Sequence, residues 1–184
     1  MPFGRLFDGK ARRRRRDVDI VYADVVAAAR EPWLYGVGNV PDTFDGRFEM
    51  MVWHLAFVVR TLRESGDDEH AAFAQELFDG FLDDMDKALR EAGVGDIAVP
   101  KRLKKMVRVW FGRIRALEPL DPGHVRPDAV EPILKRNLYP DDEAPPPLLP
   151  LAGHLAGRWA AVAILGAERI ARGTPPYGRS EAAA

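Results

Sequence analysis

Residues 90–106 read REAGVGDIAVPKRLKKM, and within them Gly93-Val94-Gly95-Asp96-Ile97-Ala98 has glycines at the spacing of a dinucleotide-binding loop. In such a loop the glycines let the main chain approach a pyrophosphate at a helix start, and the loop must follow a parallel strand. Here it follows Lys87-Ala88-Leu89-Arg90-Glu91, which continues a helical pattern. Gly93 suits the left-handed residue just past a helix end, with Val94 packing back and Asp96 capping the turn that leads to Pro100. The stretch is read as a bend between two helices and not as a cofactor cradle.

Other reactive constellations fail on similar grounds. Glu76, Asp79, Asp83 and Asp86 line four carboxylates along one stripe. A dinuclear metal bundle needs inward carboxylates with Glu-x-x-His pairs on facing helices, and the sequence has none. The stripe reads as a solvated or partner-facing acidic face. His54, His70, His124 and His154 fall on four different elements without ligand spacing, and Ser65 and Ser180 lie in breaker-rich stretches unlike a nucleophile elbow. The absence of cysteine excludes disulfides, thiolate metal sites and cysteine nucleophiles. No cofactor, metal or small-molecule substrate is expected, and the chain reads as a non-enzyme.

Charge is the more telling feature. The first 16 residues hold seven of the 27 bases and one of the 28 acids, so the remainder carries 20 bases against 27 acids. The chain reads as an acidic body with a basic arm in which Arg12, Arg13, Arg14, Arg15 and Arg16 are consecutive. With Phe3, Leu6 and Phe7 the arm could meet a membrane or RNA, or be a solubilising tail. Lys101, Lys104, Lys105 and Arg108 share one side of a later helix, with no acid between Asp96 and Glu118. That face could meet phosphates, anionic lipid or an acidic partner, or be solvated. Trp110 and Phe111 fall in the apolar row of the same helix, so no aromatic platform for bases is expected. No secretory signal and no span of about 20 apolar residues is seen, which fits the cytoplasm.

The elements that must carry these residues are helical throughout, because apolar residues recur every three or four positions and no alternating stretch is bounded by turn signals. Helices are predicted over about Val18–Arg30, from Asp42 or Thr43 past Leu62, over Asp68–Ala92, from Pro100 to Leu117, over Pro127–Leu138 and over Leu151–Arg172. The loop PWLYGVGNVP and the connector PDDEAPPPLLP separate them. The expected architecture is all-α, a single-domain bundle of about six helices over residues 18–172, with a flexible basic arm at 1–17 and a disordered tail at 173–184. A chain of this size can bury about 70% of its unfolded surface without staples.

Several blocks together carry a resemblance. They are Arg30-Glu31-Pro32 with Tyr35, Val40 to Phe48 (VPDTFDGRF), Met85 to Asp96 with Val99-Pro100-Lys101, Phe111-Gly112-Arg113 and Arg136-Asn137-Leu138-Tyr139. Over most of residues 18–165 the chain resembles the ubiquinol-cytochrome c chaperone family in its alphaproteobacterial form. The resemblance implies a non-enzymatic assembly factor of respiratory complex III that holds newly made cytochrome b or another subunit of that complex. The implied location is the cytoplasm, peripheral on the inner membrane, with an anionic membrane surface and the ribosome as further candidate partners. The competing reading is an RNA-binding or ribosome-associated helical module using the same bases. Arg30, Asp42, Asp45 and Arg47 could form one polar cluster near the first loop, and Asp86, Arg90 and Asp96 another at the bend. Tyr35, Arg136 and Asn137 join them as candidates, either for fixing loops or for gripping a partner.

Overall fold

The computed structural model describes residues 3–178, with side chains described from residue 9. Among these residues all regular structure is helical. Six helices have twelve or more residues: α1 (Phe3–Ala28), α3 (Phe44–Glu64), α4 (Asp68–Glu91), α5 (Val99–Leu117), α6 (Pro127–Leu138) and α7 (Leu149–Leu165). Two short ones, α2 (Pro32–Tyr35) and α8 (Ala167–Ala171), and a 3-10 turn at Pro122–His124 complete the order.

Helix α3 is the axis of the bundle. Every residue from Phe48 to Val59 is buried, because a helix apolar all round must be enclosed on every side. Helices α1, α4, α5, α6, α7 and α8 all pack on it. Its start is set by Thr43, whose side chain accepts the Gly46 amide at 3.2 Å. It ends at Ser65 and Gly66, and Asp67 then caps α4 by accepting the Glu69 and His70 amides. Those amides hold Asp67 below the usual carboxylate range, as expected where a charge meets the positive end of a helix. Helices α3 and α4 thus form the expected antiparallel hairpin.

Four expectations need correction. The arm predicted as flexible over residues 1–17 is helical from Phe3 onward, continuous with the first core helix. Arg14 pairs with Glu69 at 2.8 Å and Glu76 at 2.6 Å, Lys10 lies 3.6 Å from Glu69, and Arg13 and Arg16 both approach Asp17. Lysine and arginine are good helix formers, and α4 supplies the carboxylates that hold them. The loop after the first helix contains the one-turn helix α2, begun by Pro32. The last helix is two, broken at Gly166, whose φ of 80° no other residue type adopts readily.

The fourth correction concerns the tail. Over residues 173–178 it is folded, with the Tyr177 amide donating to Asp24 at 2.6 Å and its hydroxyl donating to the His54 carbonyl at 2.5 Å. The rest of the predicted tail, residues 179–184, lies outside the described residues, as do the side chains of Phe3, Leu6 and Phe7.

Candidate functional site

Two of the blocks that carry the resemblance meet at one cleft. The PDTFDGRF block contributes Phe44, Arg47 and Phe48 from α3, and the block before the bend contributes Met85, Lys87, Ala88 and Glu91 from α4. Tyr22, Val26, Ala29 and Arg30 of α1 form the third wall around about 420 Å³. Val26, Phe48, Met51 and Met85 make the lining largely apolar, and methionine adapts its shape readily. Arg30, Arg47 and Lys87 set positive charge beside Asp84 and Glu91. Phe44 is 45% exposed. The Tyr22 hydroxyl is buried without a hydrogen bond of ordinary geometry. Burial and the adjacent Asp84 carboxylate push its pKa above the usual tyrosine range.

One end of the cleft is shaped by the α2–α3 loop. Asp42 pairs with Arg47 at 2.6 Å, Arg47 lies over the Tyr35 ring at 5.0 Å, and the Tyr35 hydroxyl donates to the Ala29 carbonyl at 2.6 Å. Burial raises Tyr35 above its ordinary pKa, and the hydrogen bond that Arg47 donates to Asp42 raises Arg47. Any Cβ on Gly46 would fall inside the Pro41 carbonyl, so only glycine permits this approach. Asn39 takes φ of 56° and is clamped on both sides, its carbonyl by the Tyr139 hydroxyl at 2.5 Å and its amide by the Pro147 carbonyl.

Of the cluster expected here, Asp42 and Arg47 are joined. Arg30 shares the cleft lining without an ion pair to a described residue, and Asp45 stands exposed in the first turn of α3. Arg136 is exposed, whereas the Asn137 side-chain nitrogen is buried without a partner.

The bend lies at the same end of the α3–α4 hairpin, beyond Glu91, because the two helices run antiparallel. Gly93 has φ of 78°, its amide bonds to the Arg90 carbonyl, and the Val94 amide reaches the Leu89 carbonyl at 3.0 Å. This is the left-handed helix end that the sequence suggested, and the element before it is α4, not a strand. Arg90 gathers Asp86 at 2.6 Å and also Asp96, and its hydrogen bond holds Asp86 below the usual carboxylate range.

Beyond the bend, Lys101, Lys104 and Lys105 are exposed and ion-paired to no described residue, and Arg108 meets only the Lys104 carbonyl. Phe111, expected in the apolar row, is 55% exposed. Of the arginine run, Arg14 is half-buried and Arg12, Arg13, Arg15 and Arg16 are exposed along α1.

Two polar supports escaped the sequence reading. Glu49, buried in the middle of α3, accepts from Arg113 through both oxygens at 2.6 and 2.9 Å and from the Trp53 indole at 2.9 Å. Arg158 of α7 pairs with Glu31 and lies over the Tyr177 ring, joining α7, the start of α2 and the C-terminal segment. An acid inside an otherwise apolar row was the available signal for the first. The partners of the second are too distant in sequence to leave one.

The structure is similar to the crystal structure of the Cbp3 homolog from Brucella abortus, with a TM-score of 0.82, 33% identity and 96% of each chain covered. No curated protein matches the chain in sequence. The profile described as ubiquinol-cytochrome C chaperone matches residues 37–177, a span that holds the cleft's α3 and α4 walls and both shaping loops. The chain therefore belongs to the ubiquinol-cytochrome C chaperone family.

Proposed function

We propose that the chain is a non-enzymatic assembly chaperone for the ubiquinol-cytochrome c reductase complex, and that it holds newly made cytochrome b, or an early intermediate containing it, in the cleft between α1, α3 and α4. The observation that carries this reading is that two of the blocks bearing the resemblance, VPDTFDGRF and Met85 to Asp96, both line one largely apolar cleft. A client holder needs a shaped, adaptable surface and no reacting group. A methionine-lined groove with charged walls suits an apolar helical segment with polar ends. The working location is the cytoplasmic face of the inner membrane. No helix among the described residues is long and apolar enough to cross a membrane.

Deleting the gene and measuring complex III by its haem spectrum and activity tests the role. Loss of complex III, restored by the wild-type chain but not by an Arg30→Glu/Arg47→Glu variant present at normal level, is the expected result. A normal complex III in the deletion strain would end the chaperone reading. Full rescue by the variant would remove the cleft from it. Binding to RNA in place of client would favour the competing ribosome-associated reading.

A further inference from the structure

The geometry points to the outer face of α5, with Ile97 at its approach, as a docking surface for an anionic phospholipid bilayer. This rests on the membrane-peripheral part of the reading above and gives it a location. Projected at about 100° per residue, Lys101, Lys104, Lys105, Arg108, Phe111 and Arg115 fall within an arc of about 120°, and Ile97 stands in the turn just before the helix. The buried residues Val99, Met106, Trp110 and Leu117 lie on the opposite side. Lys101 and Arg115 are about 21 Å apart along the axis. The five bases on this face are exposed, α5 contains no acidic residue, and no described residue forms an ion pair with them. The nearest acid before the helix, Asp96, is engaged by Arg90.

Ile97 decides the kind of partner, because the exposed Phe111 ring suits a nucleobase and a bilayer alike. Ile97, just ahead of the basic row, is 97% exposed, and Phe111, between Arg108 and Arg115, is 55% exposed. An aliphatic side chain offers no ring for a nucleobase to stack on. It does transfer favourably into the headgroup boundary of a bilayer, where lysines and arginines stay among the phosphates. A single helix lying flat, with its core side already occupied by α3 and α4, presents this face without unfolding. The arginine run of α1 is the weaker candidate. Arg14 is committed to Glu69 and Glu76, and Arg13 and Arg16 approach Asp17.

The test is co-sedimentation of the full chain with phosphatidylcholine vesicles, with and without phosphatidylglycerol, across a salt titration. Binding is expected only with the anionic lipid. Lys104→Gln/Lys105→Gln should weaken it about thirtyfold, at about fivefold per base. Ile97→Ser/Phe111→Ser should weaken it about tenfold and make the remainder more salt-sensitive. All four positions are exposed, and helical circular dichroism verifies the fold of each variant. Arg15→Gln/Arg16→Gln on α1 should bind like wild type.

Equal binding to neutral vesicles, loss only with the α1 variant, or tight poly-uridine binding that the Ile97/Phe111 variant leaves intact while vesicles fail to compete would each overturn the proposal. Because the assay contains no client, its failure leaves the complex III experiment untouched. A normal complex III would likewise leave this result standing.

Discussion

His54 is enclosed in the middle of α3, and its burial gives the fold a dependence on pH that can be worked out. Its Nδ1–H donates to the Met50 carbonyl at 2.8 Å, which leaves Nε2 as a bare acceptor with no donor. The Tyr177 ring meets it edge-on with centroids 5.2 Å apart. A proton on Nε2 would have neither water nor an acceptor. Burial therefore pulls His54 from its ordinary 6.5 down to about 4 against the opposing hydrogen bond to Met50, and His154 and Arg158 add to the lowering.

The unfolded chain takes up this proton near pH 6.5 and the folded chain only near pH 4. Between those values the unfolded state binds more protons, so the contribution is complete above about 6.5 and lost as the pH falls to about 4. The span corresponds to roughly 3 kcal/mol, or roughly 6 to 12 °C of melting temperature for a chain of this length. His54→Phe keeps a ring of similar size and removes the titration. Urea unfolding followed by tryptophan fluorescence, from neutral pH down to about 4, should show wild type losing about 3 kcal/mol more than the variant. Carboxylates common to both proteins cancel in that difference. Parallel pH profiles for the two proteins would refute the reasoning.

Two further outcomes follow from buried geometry. Arg113→Met strands the Glu49 carboxylate with only the Trp53 indole as partner. It should cost about 3 to 5 kcal/mol, while Glu49→Gln/Arg113→Met should recover most of that loss in a double-mutant cycle by urea unfolding; simple additivity would refute the coupling. Gly46→Ala drives a methyl group into the Pro41 carbonyl and should lower the melting temperature by about 10 °C or more, whereas Gly95→Ala, with open space around it, should melt within a degree or two of wild type by calorimetry.

Sequence periodicity resolved the helices whose apolar and polar faces differ. The rows Phe73, Leu77, Phe81 and Met106, Trp110, Leu117 were readable because each has a solvated side to contrast with its buried one. Local chemistry made Gly93 readable too, and Thr43 as one of two candidates with Asp42, since each acts within four residues. The same locality explains the misses. Arg14 is held by carboxylates 55 and 62 residues away, Glu49 by an arginine 64 away, and Tyr177 by groups 123 and 153 away. A run of arginines gives no sign of which acids will meet it, so the arm reads as flexible until α4 is placed beside it. Phe111 was misplaced for another reason. It sits where the row of Met106 and Trp110 is one residue wide, and rotation by one position moves a ring from core to solvent.

The distribution of ion pairs bears on what the distinctive blocks are for. Glu49 with Arg113 joins α3 to α5 in a dry interior, where removing one member leaves a stranded charge. Asp42 with Arg47, and Arg90 with Asp86 and Asp96, sit largely in solvent at one end of the α3–α4 hairpin, beside the cleft, where ion pairs contribute little to stability. What they supply is position. The first fixes a guanidinium over Tyr35 at the mouth of the cleft, and the second fixes the turn between α4 and α5. Residues that hold geometry without holding the fold are those expected to show a functional defect at unchanged melting temperature. The Arg30→Glu/Arg47→Glu variant therefore separates the two roles: if it melts like wild type and still fails to restore complex III, the pair serves the cleft and not the bundle.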